Sequence, residues 1–191
     1  MKNTMKFRIK NQIAMAFASI LVLTAIAAVP AHATEEKPVK TSKVLPFRKI
    51  SIKGNIEVTL IQRINSGITY NDNNEGDVKV IQQGESLKIT GTSKAPAKLT
   101  IYVNDLYRIE ADENVIVKTE GVLSTKYLQI VLKGNASADI YSTSDELYTS
   151  IQDQSALYLR GNTKTHFLFM DKHPKLTFDQ FAALRTQATD F

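Results

Sequence analysis

The sequence predicts an all-β fold: a single-domain right-handed β-helix, or solenoid, with coils of about 21 residues. Three observations predict it. Apolar and polar residues alternate with period two along 45–165, where no helical periodicity appears. Ile109, Ile130 and Ile151 recur at equal intervals, in phase with Val115, Ala136 and Leu157 and with Val117, Ala138 and Leu159. A strand-turn-strand phrase also recurs, as "ISIKGNIEVTL" at 50–60 and "YLQIVLKGNASADIY" at 127–141, with a near copy in "LYLRGNT" at 157–163. At about 3.3 Å per residue, a coil of that length holds three short strands and three corners. The alternative is a β-sandwich whose short strands share a spacing by coincidence.

Residues 1–33 read as a secretory signal peptide. "MKNTMKFRIKNQ" is basic and free of acids, "IAMAFASILVLTAIAAV" at 13–29 is an apolar run, and Ala31 and Ala33 place cleavage before Thr34. An uncleaved anchor is the competing reading, because this run is near the lower limit for a membrane span. The Ala-His-Ala site favours cleavage. No cysteine follows, which excludes a lipid-modified N-terminus there, and after signal removal no transmembrane segment is left.

Cleavage removes Lys2, Lys6, Arg8 and Lys10, so the formal charge falls from +5 to +1. A nearly neutral remainder lacks the clustered Lys and Arg on which nucleic-acid binding rests, and excludes that class of partner. With no cysteine in the chain, no disulfide can hold the exported domain, so core packing and backbone bonds must.

Residues 34–44 are charged and aperiodic, a flexible leader. The solenoid is expected over 45–175. Ile50, Ile52, Ile56, Val58 and Leu60 alternate; 64–77 is rich in turn residues; Gly84 sits between two halves of a hairpin; Pro96 introduces the strand 98–103. Gly54-Asn55, Gly134-Asn135 and Gly161-Asn162 fall at corners, where positive φ costs these residues little. Lys118, Asp139 and Arg160 form an outward ladder of alternating charge in the same frame. The third side is poorly patterned: "VLST", "TSDE" and "KTHF" do not agree. Residues 176–191 form a C-terminal cap over the open end. It is a helix if Thr177 and Gln180 make a capping box, and a last strand if Leu176 and Phe178 alternate.

Catalytic chemistry finds little support. The nucleophile elbow, the phosphate loop and the dinucleotide fingerprint are all missing. Only His166 and His173 survive processing; with Asp171 they make "HFLFMDKH", whose spacing matches no metal-ligand pattern. The densest acid run, "EADEN" at 110–114, stacks in the repeat frame on Lys133, Val131 and glutamines, which pairs no carboxylates for acid-base work. No catalytic, metal or cofactor residue is therefore assigned. Among the tyrosines, Tyr158 points outward in this frame and is the candidate binding aromatic.

"FRKISIKGNIEVTLIQ" at 47–62 resembles the opening motif of the GIN-type head domain of putative auto-transporter adhesins. The matching positions are Phe47, Ile50, Ile52, Gly54, Ile56, Val58, Leu60 and Gln62, and "LKITGT", "LTIYV", "LKGNASADI" and "SALYLRGN" continue the style to about 165. "DEN" and "DQS", at 112–114 and 153–155, stand where many members carry Gly-rich repeats. The resemblance implies an exported bacterial β-helical protein with no catalytic residues to transfer. The sequence thus leads to a non-enzymatic, adhesin-like module in the periplasm or at the cell surface. Its partner is an envelope, host-surface or glycan ligand. A periplasmic carbohydrate-binding or carbohydrate-active protein is the alternative.

Overall fold

The computed structural model describes residues 40–71, 74–171 and 175–190. The expected signal peptide and cleavage site, most of the expected leader, and His173 lie outside these residues. Among the described residues thirteen strands follow one another: β1 (Lys40–Lys43), β2 (Lys49–Gly54), β3 (Ile56–Gln62), β4 (Gly67–Tyr70), β5 (Val78–Gln83), β6 (Ser86–Gly91), β7 (Ala97–Val103), β8 (Arg108–Glu113), β9 (Ile116–Glu120), β10 (Leu123–Leu132), β11 (Ser137–Ile151), β12 (Ala156–Met170) and β13 (Lys175–Asp190). A 3-10 turn, Asn74–Asp77, precedes β5.

All thirteen belong to one sheet, curled into an open half-barrel around its core. Eleven strands lie on its main path, in the order β1-β4-β7-β3-β9-β11-β10-β8-β2-β6-β5. From β11 the sheet also continues through β12 to β13. Pairing is mixed. The centre is parallel, while β1/β4, β4/β7 and β5/β6 are antiparallel.

This architecture overturns the right-handed β-helix with its regular coils, and equally the β-sandwich. A sandwich needs two separate sheets. A three-sided coil needs three strands and three corners per unit, and here most of a unit goes into one bent strand of 15 residues, as in β11 and β12. The first residues of β11 pair with β9 and its later residues with β10, so one strand spans both stretches of the sheet. The step from strand to strand changes accordingly. Ile109 lies opposite Ile130, a step of 21, but Ile130 lies opposite Thr149, a step of 19. Val117 meets Ala138, which then meets Leu157 rather than Leu159. The triplet spacing read from the sequence therefore fails at its third member.

The period-two reading itself holds, because every second side chain faces the concave side. Ile50, Ile52, Leu87, Ile89, Ile109 and Ile130 from one stretch, and Ile56, Val58, Leu60, Leu99, Ile101 and Val117 from the other, form one contiguous buried core. Each such aliphatic side chain contributes roughly 1.5–3 kcal/mol on leaving water. Residues 40–43, assigned to the leader by composition, pair as β1 with β4. At the other end the strand alternative forms rather than the helix. β13 adds to β12 in parallel, with a register shift opposite Leu159–Gly161 where Gln180 takes φ 49°.

Candidate functional site

A cleft lies where β10, β11, β12 and β13 bend together. The local sequences there are Ser124-Thr125-Lys126, Thr143-Ser144-Asp145, Asn162-Thr163-Lys164 and Ala182-Ala183-Leu184. Register aligns them in rows. Ser124, Thr143, Asn162 and Ala182 are consecutive neighbours, as are Thr125, Ser144, Thr163 and Ala183. Short polar residues suit a bend, since their side chains bond nearby backbone where the ladder turns. Ser144 and Thr163 are buried, 3.1 Å apart, and the Thr163 hydroxyl lies 3.2 Å from the carbonyls of both Asp145 and Thr165. They form a fixed floor. Thr143 and Asn162 stand exposed above it.

The cleft has a volume of about 470 Å³. Lys126, Asp145 and Lys164 occupy the third row, on β10, β11 and β12. Lys164 Nζ is 2.8 Å from Asp145 Oδ1. Their hydrogen bond and mutual attraction hold the Asp145 carboxyl below, and the Lys164 ammonium above, their ordinary pKa values. Lys126 adds a weaker pull on Asp145, while its own Nζ lies 5.2 Å from the Tyr127 ring centroid. Among the described residues no carboxylate lies within ion-pairing distance of Lys126. Leu184, 88% exposed, forms the apolar lip.

The residues singled out from sequence are dispersed. Phe47, Ile52 and Val58 are core side chains. Gly54 ends β2 and Asn55 links it to β3, with Asn55 Nδ2 donating to the Lys94 carbonyl at 2.7 Å. Gly134 and Asn135 link β10 to β11, and Asn135 Nδ2 donates to Asn114 Oδ1 at 3.2 Å. Gly161 and Asn162 are inside β12, at its bend rather than between strands. Of the whole set, Asn162 alone reaches the cleft. Tyr158 is half-buried on the outer face, and its hydroxyl donates to Asp179 Oδ2 at 2.6 Å. That bond, first among its causes, raises the phenol pKa. Arg160 lies near the Tyr141 and Tyr158 rings, at 5.6 and 5.9 Å, and bonds Asp139 Oδ1 at 2.8 Å. The outward charge ladder is thus partly realised. Asp139 and Arg160 meet diagonally, and Lys118, in register with Asp139, pairs with Glu57 at 3.3 Å.

The acid run at 110–114 is matched by cations. Glu110 bonds Arg108 at 2.6 Å and Lys49 at 3.1 Å; Lys53 bridges Asp112 and Glu113, each at 3.3 Å. Burial pushes the Glu110 pKa up, but the bonds from Arg108 and Lys49 outweigh it and leave it lowered. No group of three metal-binding side chains occurs among the described residues. His166 is fully buried against the Phe178 and Phe181 rings, with Nε2 2.8 Å from Thr149 Oγ1.

Sequence reasoning missed the cleft because it compared segments at the interval that separates Ile109 from Ile130. At a step of 19, the spacing of β11 and β12, "STK", "TSD" and "NTK" align, and their shared hydroxyl-rich character is plain. That alignment was the available signal.

Fold and cleft together define a single-domain all-β protein with an open groove. The chain belongs to the family described as "Putative auto-transporter adhesin, head GIN domain", whose model matches residues 46–189. Three solved structures share the fold. A putative adhesin from Bacteroides fragilis has 21% identity and a TM-score of 0.72, covering 80% of this chain and 75% of that one. A putative adhesin from Parabacteroides distasonis has 14% identity and a TM-score of 0.60, over 82% and 79%. A putative lipid binding protein from the same species has 9% identity and a TM-score of 0.57, over 80% and 78%. No curated protein sequence matches the chain.

Proposed function

We propose that this is an exported, non-enzymatic, adhesin-like binding protein of the bacterial envelope, and that its contact surface is the cleft across β10–β13. The cleft is the observation that carries the reading. It presents hydroxyl, amide and ammonium groups in parallel rows on a buried, hydrogen-bonded floor, a rigid display suited to recognition. Its single carboxylate, Asp145, is engaged by Lys164, which favours binding over acid-base hydrolysis, a reaction that uses a pair of carboxyl groups. Family membership supports a place at the envelope or outside the cell. The signal-peptide reading of residues 1–33 supports export.

The test is flow cytometry of fluorescently labelled protein on intact bacteria and on epithelial cells. Thr143 is exposed on the cleft wall, and Thr143→Trp fills the groove without entering the core. Loss of cell binding by T143W, with an unchanged melt, supports the reading. Equal binding by both proteins moves the contact surface elsewhere.

A further inference from the structure

Lys126, Asp145 and Lys164 come from three successive strands, so a linear ligand laid across β10–β12 meets a cation, an anion and a cation in order. Adjacent strands are about 4.8 Å apart, close to the length of one sugar residue, which places the two lysines roughly 10 Å apart. Deepening the function proposed above, and resting on it, we infer that the cleft binds an acidic polysaccharide in which a carboxylate-bearing sugar alternates with a neutral one.

Each part of the cleft has a task in that arrangement. Lys126 offers an ammonium with no carboxylate of the protein in ion-pairing range among the described residues, so a ligand carboxylate completes its coordination. Lys164, which lines the groove, already shares Asp145, and an ammonium has three N–H donors, so two remain for a ligand. Asp145 is the specificity element. A neutral middle sugar can donate a hydroxyl to it, whereas a carboxylate on that sugar meets like charge and is rejected. Thr143 and Asn162 supply further donors and acceptors for sugar hydroxyls. The methyl groups of Ala182 and Thr143, with exposed Leu184, give the C–H faces of the rings an apolar wall.

The test is isothermal titration of the purified protein at low and moderate salt. The probes are a hyaluronan octasaccharide, with an acid on alternate sugars; an oligogalacturonate of equal length, with an acid on every sugar; a neutral dextran oligomer; and phosphatidylglycerol vesicles. Hyaluronan is expected to bind most tightly, and more weakly as salt rises. Lys126→Gln weakens it about three- to fivefold, as expected for an exposed charge contact. Asp145→Asn acts in the opposite direction. It tightens oligogalacturonate more than hyaluronan and so narrows the preference. Both changes are at exposed or half-exposed positions, and melts confirm that each variant is folded. The inference is overturned if oligogalacturonate binds as tightly as hyaluronan to the unaltered protein, if K126Q and D145N shift binding in the same direction, or if only the vesicles bind. T143W separates the two claims. If it abolishes cell binding while hyaluronan fails to bind the unaltered protein, the cleft stands as contact surface and the acidic polymer falls.

Discussion

His166 Nε2 lies 2.8 Å from Thr149 Oγ1 in a fully buried site, where Phe178 and Phe181 present their rings to the imidazole. The other ring nitrogen, Nδ1, has no hydrogen-bond partner among the described residues. Burial pulls the His166 pKa down from 6.5 to about 4. Because the folded-state value lies below the unfolded one, the unfolded chain binds the extra proton between them. Stability is therefore complete above about pH 6.5 and falls as pH drops toward 4, by about 3 kcal/mol in all, then stays level below it. Urea midpoints measured from pH 8 to 4.5 are expected to show this fall, and His166→Gln is expected to flatten it. An equal pH slope in the variant would assign the effect to other groups.

Gly161 sits at φ +104°, and a Cβ built there would run into the Ser142 carbonyl oxygen, which is backbone. No rotamer change relieves that clash. Gly161→Ala is expected to cost at least about 2 kcal/mol, by strain and by separating β11 from β12. Gly76, with nothing within 4 Å of its built Cβ, is the control, and Gly76→Ala should shift stability by less than about 0.5 kcal/mol. Comparable melting temperatures for the two variants would contradict the bend geometry.

Asp139 and Arg160 meet diagonally at 2.8 Å, with both side chains partly exposed. A double-mutant cycle through Asp139→Asn and Arg160→Gln is expected to give a coupling of about 0.5 kcal/mol that shrinks in salt. The same cycle between Lys118 and Asp139 should give much less, since Lys118 is held by Glu57. The reverse ranking would be incompatible with the diagonal pairing of Asp139 with Arg160.

Ile130 is completely buried, opposite Ile109 on one side and Thr149 on the other. Ile130→Asp places an unpaired charge in the core and is expected to abolish cooperative unfolding. Ile116, 39% exposed on β9, is the contrast, and Ile116→Asp should preserve a single sharp transition. A normal melt for I130D would be incompatible with a core built around this residue.

Much of the β content was legible because a strand's side chains alternate strictly. Ile50, Ile52, Ile56, Val58 and Leu60 announced their inward face, and each is buried. The spacing of Ile109 and Ile130 was legible too, as it belongs to one register step. Ile151 misled. It is apolar and keeps the even interval, yet its neighbour is Leu132, because the step between β10 and β11 is shorter than the one before it. Thr149, which does face Ile130, is polar, and its burial beside His166 leaves no trace in an apolar pattern. The cleft was hidden by the same shift. Its Ser and Thr rows align only once the shorter step is known.

By itself the sequence determined that the chain is all-β, which side chains face the core, and to which family it belongs. These are local matters, written in alternation and in a motif read within a few strands. Only the tertiary structure decided the strand order, the open curled sheet, the change of step from 21 to 19 and the meeting of Lys126, Asp145 and Lys164. Those depend on where long strands bend and which backbone groups remain to pair, a competition settled between segments far apart in the chain.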